Sequence, residues 1–355
     1  MKITEIDKNL KVENALGLKN VVWLDVKEAP FRIYGLWRTE KGKSFLRMPE
    51  EVAAAANDGV NWLNHHTAGG RIRFRTDSPV IAIKAVMPDN ATMPHITMLG
   101  QSGFDLYASN AGKYAYAGSF MPGGRDHGYS TYRQTDGKMH TYTVNMPLYD
   151  PVEEVCIGLD ENAQIEEPEP YAVEVPVVYY GSSITQGGCA SRPGNAYQAM
   201  ISRRLDADFI NLGFSGSARG EENMANYIAS IRKSCFVMDY DHNAPNREHL
   251  EKTHEKFFRI IRDHDPEVPV VIVTKPDYDA CQTENELRMA ICRRTYENAV
   301  KAGDKNVYFV HGQDLFEGGD RDHCTVDRCH PTDLGFWHMA NVIGEAVRYA
   351  ITKKR

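Results

Sequence analysis

The sequence predicts an α/β protein in two parts: an antiparallel β-sandwich, then a doubly wound domain built on a five-stranded parallel sheet. Two patterns carry that expectation. From Val21 to about Asp160, short segments of alternating polarity are separated by turn residues, whereas from Val177 onward continuous apolar runs alternate with polar, helix-compatible stretches. Length adds a third observation, since 355 residues exceed what one ordinary hydrophobic core serves.

In the first part, RIRFRT (71–76), VIAIKAVM (80–87), HITMLG (95–100), GKYAYAGSF (112–120) and HTYTVNMP (140–147) alternate or nearly so and read as strands. Gly69-Gly70, Pro88–Asn90 and Ser109–Gly112 supply the turns between them. The one helical pattern here is PEEVAAAAN at 49–57. A sandwich domain over 1–165 follows. DENAQIEEPEPYAVEVP (160–176) is acidic and proline-containing, so 166–176 reads as a linker or exposed strap with little to bury. The second domain, 177–355, has apolar strands at PVVYYG (176–181), DFINLGF (208–214), CFVMDY (235–240), PVVIVTK (269–275) and VYFVHG (307–312). Helices are expected near 195–205, 221–233, 246–263, 284–301 and 333–351. Apolar strands separated by helices imply a parallel sheet covered on both faces.

Composition narrows the function classes. A formal net charge of −7 offers no basic field for nucleic acid. No segment approaches the roughly 20 apolar residues of a membrane span, and the opening MKITEIDKNLKVENA has no run of signal-peptide length, so a cytoplasmic location is expected of the chain as given, and a secreted or periplasmic one if a leader has been removed. The seven cysteines are odd in number, which excludes a fully paired disulfide framework and favours reduced thiols.

In doubly wound sheets, ligands bind beyond the carboxyl ends of the strands, so chemistry is sought in the residues after each one. The first strand runs into GSSITQGG (181–188), a loop of glycines and hydroxyls that suits either phosphate cradling or a nucleophilic serine. The second is followed by NLGFSGSA (211–218), the third by DYDHNAP (239–245), the last by a loop containing DRCHPTDLG (327–335). Together these residue types fit acyl transfer. Ser183 would be the nucleophile, with Ser182 and Ser215 as other candidates; His330 would take its proton, and Asp327, three residues earlier, would hold the imidazole. Backbone N–H groups of Ser183 and Gly216 and the amide of Asn243 would stabilise the oxyanion. Asn243 also suits a cap for the helix entering at PNREHLEK, and Asp239 and Asp241 lie at the same strand end.

The order Ser183, Gly216, Asn243, Asp327, His330 resembles the SGNH hydrolases, also called GDSL-like esterases and lipases, across the second half of the chain. SGFDLYASN (102–110) is similar to the GxDLY β domain that precedes one SGNH subgroup. Two positions depart from the family pattern: Ser182 stands where the GDS block has aspartate, and the third block lacks the GxND spelling. The resemblance implies a flavodoxin-like three-layer α/β/α esterase with a metal-free Ser-His-Asp centre and no cofactor. Its substrate would be a small-molecule or carbohydrate ester, with O-acetyl groups on sugars as one candidate.

Two other readings compete. A flavin- or phosphate-binding protein of the same plan explains GSSITQGG but not an Asp-x-x-His pair at the far end of the sheet, and the loop lacks a P-loop lysine. A non-catalytic carbohydrate-binding protein would carry the serine, histidine and aspartate idly. Arg192 and Arg219 follow the first two loops and are candidates for gripping a substrate carboxylate or hydroxyl. Tyr107, Tyr114, Tyr116 and Phe120 read as core packing before sugar stacking. His323, Cys324, Cys329 and His330 crowd together, but their spacing matches no standard zinc motif, and a resident metal would consume the proposed base.

Overall fold

The computed structural model describes residues 16–18, 20–88, 92–123, 127–276, 278–316, 318 and 320–353. Chain contacts define two units. The first holds the described residues up to Arg47, His65–Ala172 and Arg192–Gly194; the second holds Met48–Asn64, Val173–Ser191 and Asn195 onward.

The first unit is antiparallel throughout. One sheet orders β1 (Val21–Asp25), β9 (Glu154–Asp160), β4 (Val80–Val86) and β7 (Gly128–Gln134). The other orders β10 (Ile165–Glu166), β3 (Arg71–Thr76), β8 (His140–Asn145), β5 (Phe104–Asn110) and β6 (Lys113–Phe120), with β2 (Arg32–Tyr34) also on β3. Ile72, Phe74, Leu106 and Val144 share one core with Leu24, Ile83, Ile157 and Leu159, so the inward faces of both sheets pack together as in a sandwich. HITMLG departs from its strand-like reading: the Thr97 hydroxyl accepts from the Gly100 N–H and caps a short helix, α3 (Met98–Ser102).

The second unit has five parallel strands in the order β12 (Ala207–Gly213), β11 (Val173–Gly181), β13 (Cys235–Asp239), β14 (Val270–Val273) and β15 (Val307–Val310). Both faces are buried, which is why the strands read as unbroken apolar runs. Tyr179 points one way, meeting Tyr197 of α5 (Tyr197–Leu205), which stacks on Phe336 of α9 (Asp333–Lys353). Tyr180 points the other way and stacks on Phe257 of α7 (Arg247–His264), the ring centroids 5.0 Å apart. The same layer includes α6 (Glu222–Ser230) and α8 (Gln282–Lys301). This is the three-layer α/β/α plan.

Three features differ from the sequence reading. PEEVAAAAN forms α1 (Glu50–Ala56), followed by α2 (Asp58–Leu63), and both belong to the second unit: Met48, Ala53, Val60 and Leu63 are buried in one cluster with Ala225 and Ile228 of α6. Strand β11 starts at Val173, inside the expected 166–176 linker. That segment also buries an aromatic ring, since Tyr171 is 3% exposed, with the Arg73 guanidinium 3.9 Å over its centroid and Arg71 Nε donating to its hydroxyl. Among the described residues, no helix is long and apolar enough to cross a membrane.

Candidate active site

Strand order reverses between β11 and β13, and the loops after those two strands carry Ser183 and Asn243. Ser183 is the first residue of α4 (Ser183–Gln186), which closes at Gly187 with φ 106°. The backbone path is forced by proximity: a Cβ on Gly181 would stand 2.1 Å from Thr185 Oγ1 and 2.3 Å from the Asp239 carbonyl oxygen, so only glycine fits. Ser182 caps the turn, its hydroxyl accepting from the Ile184 N–H at 3.1 Å. A hydroxyl oxygen caps here as an aspartate carboxylate can.

Ser183 and His330 are brought together from opposite ends of the unit. His330 Nε2 lies 2.9 Å from Ser183 Oγ, and His330 Nδ1 lies 2.8 Å from Asp327 Oδ2. Asp327 Oδ1 accepts the backbone N–H groups of His330 and Cys329, at 2.7 and 3.1 Å. The hairpin-like turn holding these residues closes through Val326 N–H to His330 O, with Arg328 in the left-handed region at φ 67°. Partial burial pushes the Asp327 carboxyl up, but the hydrogen bonds and positive potential of His330, with the Cys329 N–H, outweigh it and hold the group below the usual carboxylate value. An ionised Asp327 fixes the His330 tautomer with Nδ1–H toward the carboxylate, which leaves Nε2 to accept the Ser183 proton.

The expected oxyanion donors sit on loops stitched to the serine turn. Phe214 N–H donates to Gly181 O, Ser215 N–H donates to Gln186 Oε1 of α4, and the Asn243 amide donates to Phe214 O at 2.9 Å. Gly216 follows, exposed, with φ 66°. The capping alternative for Asn243 falls away, because Asn246 caps α7 by accepting from the His249 N–H. Asp239 and Asp241 have other partners than His330. Asp239 Oδ2 accepts the Thr185 and Tyr197 hydroxyls at 3.0 and 3.1 Å, and Asp241 Oδ2 accepts the Lys275 N–H. Burial, with the neighbouring Asp241 charge, pushes the Asp239 carboxyl up to about 8.

Further residues frame the site without having been singled out in the sequence. Asp333, at the start of α9, accepts from the Ser191 N–H and hydroxyl and from the Asn195 amide, tying the loop after α4 to the helix that follows His330. His242 Nε2 lies 3.0 Å from Cys329 Sγ, and burial, with the charges of Lys275, His330 and Arg288, pushes its imidazole down to about 3. Burial also raises the Cys189 thiol to about 12, reinforced by Asp327 and Cys329.

Arg192 has a structural job. Its guanidinium donates to Asp105 at 2.8 Å and to the Tyr107 hydroxyl at 2.6 Å, and lies 4.2 Å over the Tyr116 ring, all within the first unit. Asp105, wholly buried, also accepts Gly194 N–H and the Asn145 amide. The GxDLY aspartate and tyrosine thus form a receptacle for Arg192–Gly194, and the guanidinium is not held out toward a substrate. Arg219 is exposed, donating weakly to the Gly216 carbonyl at 3.3 Å. Tyr107 and Phe120 are buried, whereas Tyr116 is 52% exposed. All seven cysteines are free thiols; Cys324 Sγ points to the Asp320 carbonyl rather than to Cys329.

A doubly wound sheet with a serine, histidine and aspartate relayed at its carboxyl edge defines a class of acyl-group hydrolases. Residues 174–348 match the GDSL-like Lipase/Acylhydrolase family, and residues 21–165 match the GxDLY domain, described as the N-terminus of SGNH-hydrolase-type esterases. A GDSL-like lipase of Bacteroides ovatus ATCC 8483 is 31% identical, with TM-score 0.84 over 94% of this chain and 98% of the other. The chain belongs to the GDSL-like lipase/acylhydrolase family and is a carboxylic ester hydrolase. At lower identity, the fold is shared with a salicylyl-acyltransferase from a tetracycline biosynthetic pathway (18% identity, TM-score 0.75, 95% and 98% covered). It is shared also with an acetyl xylan esterase of the rumen bacterium Butyrivibrio proteoclasticus (14%, 0.57, 94% and 98%). No curated protein matches the chain.

Proposed function

We propose that this hydrolase is a serine esterase that removes short acyl groups, with O-acetyl groups on a carbohydrate as the first substrate class to try. The observation that carries the reading is the relay from Ser183 Oγ through His330 to Asp327, at 2.9 and 2.8 Å. Ser183 Oγ attacks the ester carbonyl carbon as His330 Nε2 takes its proton. The oxyanion is met by the Ser183 and Gly216 N–H groups and the Asn243 amide. His330 returns the proton to the leaving alkoxide, and the acyl group stays on Ser183. Water then attacks the acyl-enzyme, His330 taking a proton from it and passing that proton back to Ser183 Oγ as the acid departs. Buried Asp239, whose Oδ2 accepts the Thr185 hydroxyl, supports the reaction indirectly by holding that residue, two positions from the nucleophile.

The choice of a sugar acetyl ester draws on the fold shared with an acetyl xylan esterase at 14% identity. The test is a rate profile over p-nitrophenyl esters from acetate to octanoate and over acetylated sugars, for the wild type and Ser183→Ala. Rates should be highest for acetyl and should fall at least about a thousandfold in the alanine variant. An unchanged rate in a folded Ser183→Ala protein would remove the mechanism, and a preference for octanoate would remove the short-acyl assignment.

A further inference from the structure

Overlapping the relay is a cluster of metal-ligand side chains, two of which, Cys329 and His242, the proposed hydrolysis does not use. One ligand atom each from Asp327, Cys329 and His330 lies within 4.8 Å of the others. A fourth group comes from a different loop: His242, in the turn after β13, places Nε2 3.0 Å from Cys329 Sγ. A thiol, two imidazoles and a carboxylate are the donor set that tetrahedral zinc prefers, at about 2.3 Å for sulfur and about 2.0–2.2 Å for nitrogen and oxygen. Those bond lengths put neighbouring ligand atoms about 3.3–3.8 Å apart, so Asp327, Cys329 and His330, whose ligand atoms lie within 4.8 Å of one another, must draw together, and His242 joins them through its contact with Cys329.

We propose that Cys329, His242, His330 and Asp327 form an inhibitory site for a thiophilic divalent cation, zinc above all. Coordination replaces the Cys329 S–H bond with a Zn–S bond and gives the proton to water. Both nitrogens of His330 are already engaged, Nε2 with Ser183 and Nδ1 with Asp327, so coordination through either breaks one contact of the relay. Metal binding and catalysis are therefore mutually exclusive. The side chains of Cys329 and His242 take no part in the proposed hydrolysis, and through them metal sensitivity can be separated from activity.

The inhibitory half of this inference rests on His330 as the general base; the binding half does not. Zinc is titrated into the full-length wild type, Cys329→Ser and His242→Gln, reading esterase rate and, separately, zinc affinity by competition with a chromophoric chelator. The expected result is one zinc per wild-type chain, inhibition reversed by EDTA, and a half-inhibiting concentration raised at least tenfold in both variants at unchanged metal-free rates. Magnesium should neither bind nor inhibit. The proposal is overturned if the wild type binds no zinc, if both variants bind and respond as the wild type does, or if magnesium inhibits equally. Should Ser183→Ala keep full activity while zinc still binds through Cys329, the hydrolytic mechanism fails and the metal site stands. Circular dichroism of each variant separates lost binding from lost folding, and Cys329→Ala serves as a second thiol-free protein should the serine variant unfold.

Discussion

Asn243 and Asp327 show how much of the proposed chemistry depends on orientation. The Asn243 amide is held by the Phe214 carbonyl, which takes one of its two N–H bonds and leaves the other for the proposed oxyanion. Asn243→Ala should lower kcat about 10²–10³-fold with little change in KM, measured by steady-state hydrolysis of a p-nitrophenyl ester. An equal loss in 1/KM instead would make Asn243 a ground-state contact. Asp327 is held below the ordinary carboxylate value, so its stabilising contribution is present above that value and is lost as pH falls through the lowered one. The melting-temperature advantage of wild type over Asp327→Asn should be flat from neutrality down to about pH 5 and should shrink below about pH 4. An advantage that shrinks already between pH 7 and 5 would contradict the assignment. Ser182 and Ser183 were both hydroxyls at a strand end; only the contact made by each separates capping from nucleophilic attack, and contact between residues 183 and 330 is a property of the folded sheet.

At the scale of elements, the parallel strands were legible because burial on both faces leaves no polar alternation, and α5 to α9 fall close to the ranges that helix periodicity predicts. What stayed hidden is non-local. Helices α1 and α2 read as part of the first domain because sequence position was the only guide to the core they join, yet their apolar face is matched by α6. Arg192 looked like a substrate contact because it follows the serine loop; its partner Asp105 is 87 residues earlier. Asp239 is a further case, since nothing in DYDHNAP says that its carboxyl is buried against two hydroxyls between β13, α4 and α5. A carboxyl raised to about 8 binds its proton more tightly in the folded chain, so folding stability is lost progressively as pH rises from about 4 to about 8, and is level above. Asp239→Asn carries no charge and should gain melting temperature relative to wild type across that window. A difference independent of pH would mean that Asp239 is ionised in the folded protein.

At the scale of the whole molecule, the two units each own a core, but the chain visits them out of order. The second unit takes Met48–Asn64 from within the first half, and the first takes Arg192–Gly194 from within the second. A fragment of residues 173–355 therefore lacks Met48, Val60 and Leu63, each buried to 2% exposure or less. At about 1.5–3 kcal/mol for each large apolar side chain, the loss is of the order of the net stability of an ordinary domain, about 5–15 kcal/mol. That fragment should be insoluble or expanded on size exclusion, whereas the intact chain should elute as a folded protein; a compact, cooperatively melting fragment would show that α1 and α2 are dispensable to the core.

The claim on which all of this turns is that the Ser183 oxygen becomes the acyl carrier, and mass spectrometry of the enzyme after reaction with a small sulfonyl fluoride measures it most directly. Activity should disappear in step with a single adduct, found on the peptide containing Ser183 and absent from Ser183→Ala. An adduct on Ser182 or Ser215, or full inactivation with Ser183 unmodified, would contradict the account.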